Sequence, residues 1–231
     1  MRINKYIAHS GYCSRRKADD LIKSGKVKLN GKVILEPGIK VTDSDRVEIG
    51  GRSLFLEKKF YIKLYKPVGY ITSNFDPYNK KDLNDLINID ERFFAAGRLD
   101  KDSEGLLIIT NDGDFTNKLT HPKFELDKEY IVKVNRVLSK KECLLFKDGM
   151  DIGRGEKTSN ADIEYLSNNA YKVIIRQGFN RQIRRMFKAL DTEVVNLKRT
   201  RIGKIELADL KEKEFRYFTK MEEKFVEEIR R

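Results

Sequence analysis

The sequence predicts an α+β protein, in which a small N-terminal α/β module of residues 1–58 precedes a larger domain of residues 59–231. The larger domain is expected to contain a mixed, largely antiparallel sheet flanked by helices. Two observations support this fold class. Alternating strand patterns and helical stripes succeed one another without the strand–helix–strand rhythm of a parallel sheet. The chain of 231 residues is also long enough for two domains, since a domain commonly holds about 100–200 residues.

The front module is predicted from two short helices and a hairpin. Apolar residues near the N-terminus follow helical spacing, and Ser14 suits the N-cap of a second helix that ends before Gly25. The alternating residues on both sides of Asn30-Gly31 predict a tight hairpin, because this dipeptide favours a turn with positive φ at both positions. A further strand is expected over residues 46–50.

A short linker around residues 57–60 leads into a longer series of strands and helices. The uninterrupted apolar run 106–110 is typical of a buried strand, and an apolar stripe at helical spacing marks a helix late in the chain. Strands are predicted over 60–73 with a Pro-Gly turn at 66–69, and over 106–110, 128–135, 171–178, 193–203 and 204–210, with helices over 82–87, 114–121 and 180–190.

The charge distribution indicates a polyanionic partner. The formal net charge is +12. Residues 1–58 carry thirteen Lys and Arg against seven Asp and Glu, so this segment alone carries +6, half of the net charge. Seven of these cations lie between Arg15 and Lys32, opposed by only two aspartates. Contact with nucleic-acid phosphates, involving Arg15 and Arg16, fits this surface, and a merely solvated basic surface is the alternative.

Several classes of protein are disfavoured by composition. No run of about 18 apolar residues is present and the N-terminus lacks the apolar region of a secretory signal, so we expect a cytoplasmic protein without membrane contact. Two cysteines without motif spacing and two histidines predict neither a disulfide framework nor a metal site.

A charged loop that runs directly into the apolar strand 106–110 is the first candidate for chemistry. Loops held by rigid strands are where functional sites are usually built. Asp100 is singled out because Leu99 beside it is expected to point into the core, which fixes the backbone at this position. An ordinary turn residue is the alternative for Asp100, and it is our interpretation of Asp102 and Glu104.

Three arginines in a predicted helix form the second candidate. Arg181 and Arg185 are four residues apart and share one side of that helix, so we expect both to contact phosphate. Arg184 is rotated away from them and is predicted to turn toward a pocket, where its guanidinium would hold a buried carboxylate ionised. Further cations over residues 176–204 predict a second basic surface.

At this point three ordered motifs carry a resemblance to a known family. They are Lys66-Pro67-Val68-Gly69, then Gly97-Arg98-Leu99-Asp100 with Ser103-Glu104-Gly105-Leu106-Leu107, and then Arg181-Gln182-Ile183-Arg184-Arg185-Met186. The chain resembles ribosomal RNA pseudouridine synthases of the RsuA/RluB/RluF family, and its front module resembles the alpha-L, ribosomal S-four-like RNA-binding module. Phe179 departs from the family pattern, in which many members have a basic residue.

The resemblance implies an isomerisation that needs no cofactor and no metal. The bond between the uracil ring and the ribose breaks, the ring turns, and carbon five is joined to the ribose instead. By similarity, Asp100 is the catalytic carboxylate and Arg184 its partner. Tyr130 resembles the tyrosine that stacks on the target base, Ile183 the apolar floor of the pocket, and Arg98 the side chain that fills the gap left by the extruded base.

The resemblance also implies a partner, namely a structured hairpin of ribosomal RNA that is gripped mainly through phosphates and shape. Lys66 and Gly69 are expected to shape the rim of the pocket. The short linker and the run 120–130 favour large-subunit rRNA, with the small-subunit enzyme as the alternative. Both naked rRNA and an assembly intermediate stay open as the substrate, and we expect a monomer.

Two other classes of function were weighed against this one. A non-catalytic RNA-binding factor in ribosome assembly would be indicated by the loss of Asp100, Tyr130 or Arg184, all of which are present. A metal-dependent nuclease would have to use Asp100 and Asp102, but two loop carboxylates without a third acid or histidine make a poor two-metal site.

Overall fold

Residues 1–74 and 81–230 are described by the computed structural model and divide into two units. Unit 1 contains Met1–Phe60 together with Ile89–Phe93 and Asn111–Gly113, and the rest of the described chain forms unit 2. The domain boundary between residues 58 and 59 stays a prediction, because two short segments from later in the sequence pack with unit 1.

Unit 1 is a small α/β module whose core is formed by apolar residues of both helices and the sheet. Its four strands pair in the spatial order β2-β1-β3-β4. The Oγ of Ser14 accepts a hydrogen bond from the backbone N–H of Lys17 at 3.3 Å, which confirms the predicted N-cap. Asn30 and Gly31 have φ of 52° and 81°, as the predicted hairpin turn requires. The elements are α1 (Ile3–His9), α2 (Arg15–Lys23), β1 (Val27–Leu29), β2 (Lys32–Val33), β3 (Val47–Ile49) and β4 (Arg52–Ser53).

Unit 2 is built on a large mixed sheet. Its strands are β5 (Tyr61–Lys66), β6 (Phe94–Ala96), β7 (Glu104–Thr110), β8 (Lys128–Val134), β9 (Asp162–Ser167), β10 (Ala170–Ile175), β11 (Val194–Ile202), β12 (Ile205–Glu206) and β13 (Phe215–Tyr217). The main order is β13-β5-β7-β11-β8-β10-β9, with β6 paired to β7 and β12 to β11. Among the described strands of this sheet, only β7 and β11 run parallel, so the predicted α+β class with a largely antiparallel sheet is confirmed.

The remaining helices of the described chain are α3 (Gly113–Thr120), α4 (Lys140–Asp148), α5 (Gln182–Lys188) and α6 (Lys220–Arg230). The helices α4 and α6 and the strands β6, β9 and β13 were not predicted from the sequence. A single 3₁₀ turn, Leu83–Asp85, occupies the region of the short predicted helix. Within the described ranges, no helix combines the length and the apolar character needed to cross a bilayer.

The central strand β7 explains where the site lies. Its residues from Gly105 onward are all buried, and it pairs with β5 along one edge and with β11 and β6 along the other. The charged loop of residues 97–103 leads directly into this strand. A buried central strand of the sheet therefore carries the loop that contains Asp100.

Candidate active site

A cavity of about 380 Å³ lies in unit 2 beside the loop that precedes β7. It is lined by this loop, by β8 and β11, and by the segment that leads from β10 into α5. Five of the predicted site residues line it, namely Arg98, Asp100, Tyr130, Arg181 and Ile183. Lys66, Arg184 and Arg185 belong to unit 2 but do not line the cavity, whereas Arg15 and Arg16 lie on α2 of unit 1.

The backbone of the loop places Asp100 at the cavity. Gly97 has φ of +88°, which lets the chain turn out of β6, and Leu99 is buried as predicted. The backbone N–H of Ser103 donates to the carbonyl of Asp100 at 3.1 Å and closes a turn. The carboxylate of Asp100 is one third exposed, and its nearest cation is Nη1 of Arg181 at 3.7 Å. Within the described part of the chain, this carboxylate accepts no hydrogen bond, so its oxygens are available to a ligand.

The predicted pairing of Asp100 with Arg184 is wrong. Nε of Arg184 lies 3.3 Å from the carboxylate of Asp102, and its Nη2 donates to the Asp102 carbonyl at 2.7 Å. Arg181 binds the same carboxylate with both Nη atoms, at 2.9 and 2.7 Å. These hydrogen bonds from Arg181 hold the pKa of Asp102 below its ordinary value. Asp102 is an exposed turn residue, as interpreted from the sequence, but its carboxylate is shared by two arginines, which was not predicted.

Arg181 and Arg184 bind Asp102 because of the position at which α5 begins. Arg181 has φ of 52°, in the left-handed region, and is the N-cap of α5 rather than a residue within the helix. Its side chain consequently points back to the loop at Asp102 instead of sharing a helix face with Arg185. Burial lowers the pKa of Arg184, and the Nη1 of this residue donates to the carbonyl of Val194 at 3.0 Å. Arg184 thus joins β11 to the loop.

The guanidinium of Arg185 is too little exposed to contact phosphate. Its side chain is 13% exposed, Nε donates to the carbonyl of Ile152 at 2.9 Å, and Nη2 donates to the carbonyl of Gly153 at 2.6 Å. An ion pair with Glu156 completes its contacts. The prediction that Arg185 binds phosphate is wrong, because the chain around residue 153 packs against α5 and takes up the guanidinium.

Lys66 lies beneath the loop rather than on the rim. It is fully buried, and its Nζ donates to the carbonyls of Pro67 at 2.9 Å and Ser103 at 2.8 Å. Burial, reinforced by the charge of Arg199, lowers the pKa of Lys66 to about 8. Glu104 is also more than a solvated turn residue, since its carboxylate accepts hydrogen bonds from Tyr65 at 2.8 Å and Asn196 at 2.7 Å.

Tyr130 and Ile183 form part of the apolar wall of the cavity. Tyr130 is 8% exposed on β8, between Val173 of β10 and Arg199 of β11 in the register of the sheet. Its hydroxyl forms no hydrogen bond with any described residue. Ile183 is buried in the first turn of α5. Phe179, the departure from the family motif, also lines the cavity.

Two cations of the cavity were not singled out from the sequence. Arg199 is 3% exposed, and its Nε donates to the carbonyl of Leu106 at 2.8 Å. Lys128 donates from Nζ to the carbonyls of Leu126 at 3.2 Å and Arg176 at 3.4 Å, and burial lowers its pKa. Arg199 stands in a basic stretch and Lys128 begins an alternating strand. No local pattern distinguishes either residue from a surface cation.

The predicted second basic surface over residues 176–204 is largely neutralised within unit 2. Arg199 is buried, and three further cations are held in ion pairs: Arg176 with Asp127 and Asp162, Arg201 with Glu129, and Lys204 with Glu228. The face of unit 1 differs. Seven cations there are exposed and form no ion pair with a described residue: Arg15, Arg16, Lys17, Lys23, Lys26, Lys28 and Lys32.

Comparisons with known families match two separate parts of the chain. Residues 60–189 match the family of RNA pseudouridylate synthases, and residues 1–47 match the S4 domain. The chain is similar to a solved pseudouridylate synthase, with 28% identity, 99% of each chain covered and a TM-score of 0.72.

Two curated relatives are similar over most of their length. The ribosomal large subunit pseudouridine synthase B of Bacillus subtilis is 44% identical over 90% of this chain and 88% of its own. The dual-specificity RNA pseudouridine synthase RluF of Escherichia coli is 37% identical over 95% of this chain and 76% of its own. The resemblance stated from the three motifs is confirmed, and this chain belongs to the family of RNA pseudouridylate synthases, with an S4 domain ahead of the synthase region.

Proposed function

We propose that this protein isomerises uridine to pseudouridine at a defined position of large-subunit ribosomal RNA. The observation that carries the proposal is the carboxylate of Asp100, which faces the cavity with Tyr130 and Ile183 on the wall and accepts no hydrogen bond from the described residues. The names of the relatives support large-subunit rRNA as the substrate class. We further propose a cytoplasmic monomer that acts on rRNA or on a ribosome assembly intermediate.

The reaction conserves every atom of the nucleotide apart from an exchange of protons with water. The bond between N1 of uracil and C1′ of the ribose breaks, the ring turns, C5 bonds to C1′, the proton on C5 is released, and N1 takes up a proton. The carboxylate of Asp100 serves as the nucleophile of this reaction sequence, and any bond that it forms with the nucleotide breaks again when C5 bonds to C1′. The target base has to leave its stack to reach the cavity, and the exposed Arg98 at the cavity wall takes the vacated space.

Tyr130 is proposed to stack on the base through its ring and to move a proton through its hydroxyl. We expect Tyr130→Phe to lower the single-turnover rate about 10²-fold, the lower end of what a positioned acid or base contributes, with unchanged RNA affinity. Tyr130→Ala should also weaken binding, because stacking contributes about 1–3 kcal/mol per base. Tritium release from rRNA labelled at C5 of uridine, combined with filter binding, measures both quantities.

Tyr165→Phe is the matched control for this experiment, since Tyr165 is half exposed on β9 and does not line the cavity. It should release tritium at the wild-type rate. If Tyr130→Phe does so as well, the hydroxyl has no part in proton transfer. If the Phe and Ala variants bind RNA equally well, the ring does not stack on the base.

The face of unit 1 around α2 is proposed to hold RNA through phosphates. In the double variant Arg15→Gln, Arg16→Gln, we expect weaker binding and a salt dependence whose logarithmic slope is smaller by about two, because each phosphate contact contributes about one. The control is Lys140→Gln, Lys141→Gln, which removes the same charge from exposed positions at the start of α4. Equal slopes for the two double variants would contradict the assignment of this face.

The experiment that tests the proposed function is pseudouridine mapping of rRNA from cells that lack the protein. We expect one position of large-subunit rRNA to lose its modification, and the wild-type gene to restore it. Loss from small-subunit rRNA would assign the alternative substrate, and unchanged rRNA would refute the proposal. A nuclease is disfavoured by the geometry, because Arg181 and Arg184 engage the carboxylate of Asp102 that such an enzyme would need for a metal ion.

A further inference from the structure

We propose that Thr72 and Arg199 are positioning residues for Asp100, which they hold in place through the backbone carbonyls of Leu99 and Arg98. The inference rests on the proposed role of Asp100 in the reaction. Neither residue belongs to the three motifs that identify the family, and Thr72 does not line the cavity. Both contact the two residues that immediately precede Asp100 in the chain.

Every backbone carbonyl from residue 98 to residue 103 accepts a hydrogen bond. The donors are Nη1 of Arg199 to Arg98, Oγ1 of Thr72 to Leu99, the backbone N–H of Ser103 to Asp100, the backbone N–H of Gly69 to Lys101, Nη2 of Arg184 to Asp102, and Nζ of Lys66 to Ser103. Five of these six donors come from outside the loop. A surface loop would leave most of its carbonyls to water, so this loop is held as firmly as an element of secondary structure.

The contact of Thr72 with Leu99 works in both directions. Oγ1 of Thr72 donates to the carbonyl of Leu99 at 2.7 Å, and the backbone N–H of Leu99 donates to the same Oγ1 at 3.1 Å. One hydroxyl therefore satisfies both backbone groups of the residue next to Asp100. This fixes the peptide planes on both sides of Leu99 and hence the direction in which the following Cα–Cβ bond points.

Arg199 has an arrangement that stability alone does not explain. Its guanidinium is buried, none of the ion pairs among the described residues uses it, and its Nη2 has no hydrogen-bond partner. Burying an unpaired cation costs stability. Its Nε and Nη1 instead donate to the carbonyl of Leu106 in β7 at 2.8 Å and to the carbonyl of Arg98 in the loop at 3.3 Å. One rigid planar group thus ties the loop to β7.

The carboxylate of Asp100 depends on this support because its own contacts are weak. Among the described residues its single ion pair is with Arg181 at 3.7 Å, and it accepts no hydrogen bond there. The backbone consequently determines where the oxygens lie. A displacement of about 1 Å at a reacting group can reduce a rate about 10²-fold, so the loss of one anchoring contact is expected to lower kcat and leave RNA binding unchanged.

Two pairs of variants test the proposal, with tritium release measured as kcat and KM on rRNA. Thr72→Val keeps the shape of the side chain and removes the hydroxyl, whereas Thr72→Ser keeps the hydroxyl. We expect Thr72→Val to lower kcat about 10- to 10²-fold at unchanged KM, and Thr72→Ser to recover most of the loss. Arg199→Met should lower kcat in the same way, and Arg199→Lys, which lacks the fork that reaches both carbonyls, should recover little.

Thr192→Val is the matched control, because Thr192 is also buried and its Oγ1 donates to the carbonyl of Leu190 at 3.0 Å, outside the loop. We expect it to lower the melting temperature and to leave kcat unchanged. The proposal is overturned if Thr72→Val keeps the wild-type kcat, or if kcat falls in both Val variants in proportion to the melting temperature. A failure of the proposed function is distinguishable, since Asp100→Asn would then remain active whatever the result for Thr72.

Discussion

Replacing Asp100 with Asn is expected to abolish tritium release from rRNA labelled at C5 of uridine, with a loss in rate on the order of 10⁴-fold or more. The amide is nearly the same size as the carboxylate, so the buried Leu99 and the anchored loop carbonyls should keep their positions. The variant lacks the negative charge and the nucleophilic oxygen. RNA affinity should persist, because phosphate contacts dominate binding and Asp100 makes none of them.

The same variant should lose little stability. From the sequence, a buried ion pair was expected at this position, and removal of one partner of such a pair commonly costs about 3–5 kcal/mol. The structure shows instead a carboxylate that is one third exposed and lies 3.7 Å from Arg181. A pair of this kind contributes about 0–1 kcal/mol. We therefore expect Asp100→Asn to melt close to the wild-type temperature, which a thermal unfolding scan monitored by circular dichroism measures.

Two further variants test whether the loss of activity is specific to Asp100. Asp148→Asn makes the same chemical change at an exposed position at the end of α4 and should remain fully active. Asp102→Asn is not a neutral control, because it removes the carboxylate that Arg181 and Arg184 share. It should lower activity far less than Asp100→Asn, because the carbonyl of Asp102 still binds Arg184. An Asp102→Asn variant as inactive as Asp100→Asn would reassign the nucleophile.

Local features of the fold were predictable from the sequence because their causes are local. The turn at Asn30-Gly31 needs positive φ at two adjacent residues, and the N-cap at Ser14 needs one hydroxyl and a neighbouring N–H. The same holds for the burial of Leu99 and of the apolar run that became β7. The family resemblance also assigned Asp100, Tyr130 and Ile183 to one pocket, and all three line the same cavity.

The partners of the cations could not be predicted, because each partner is distant in sequence. Arg184 binds a residue 82 positions away, Lys66 one 37 positions away, and Arg199 one 93 positions away. Helical periodicity shows which face of α5 a side chain occupies, but it does not show which loop packs on that face. The left-handed conformation of Arg181 also has no strong sequence signal, and the helix starts at Gln182, two residues after the predicted start.

Gly105→Ala is expected to have the largest effect on stability. Gly105 has φ of +103°, and a Cβ at this position would lie 2.3 Å from the carbonyl oxygen of Arg199 and 2.8 Å from its backbone nitrogen. These atoms belong to β11, which pairs with β7 at this point, so no flexible side chain can move aside. The strained backbone costs about 1–2 kcal/mol, and the overlap with a neighbouring strand adds about 1–3 kcal/mol or more.

We therefore expect the free energy of unfolding to fall by about 4 kcal/mol, measured by urea denaturation with circular dichroism. Gly155→Ala is the control within the same unit, because Gly155 has φ of +71° and no atom lies within 4 Å of its added Cβ. It should lose only the cost of strain, about 1–2 kcal/mol. Because Gly105 pairs with Arg199, the displaced strand should also pull this guanidinium from the carbonyl of Arg98, so that Gly105→Ala is less active even at temperatures where it is folded. Equal losses of stability in the two variants would show that the contact between β7 and β11 tolerates a side chain at Gly105.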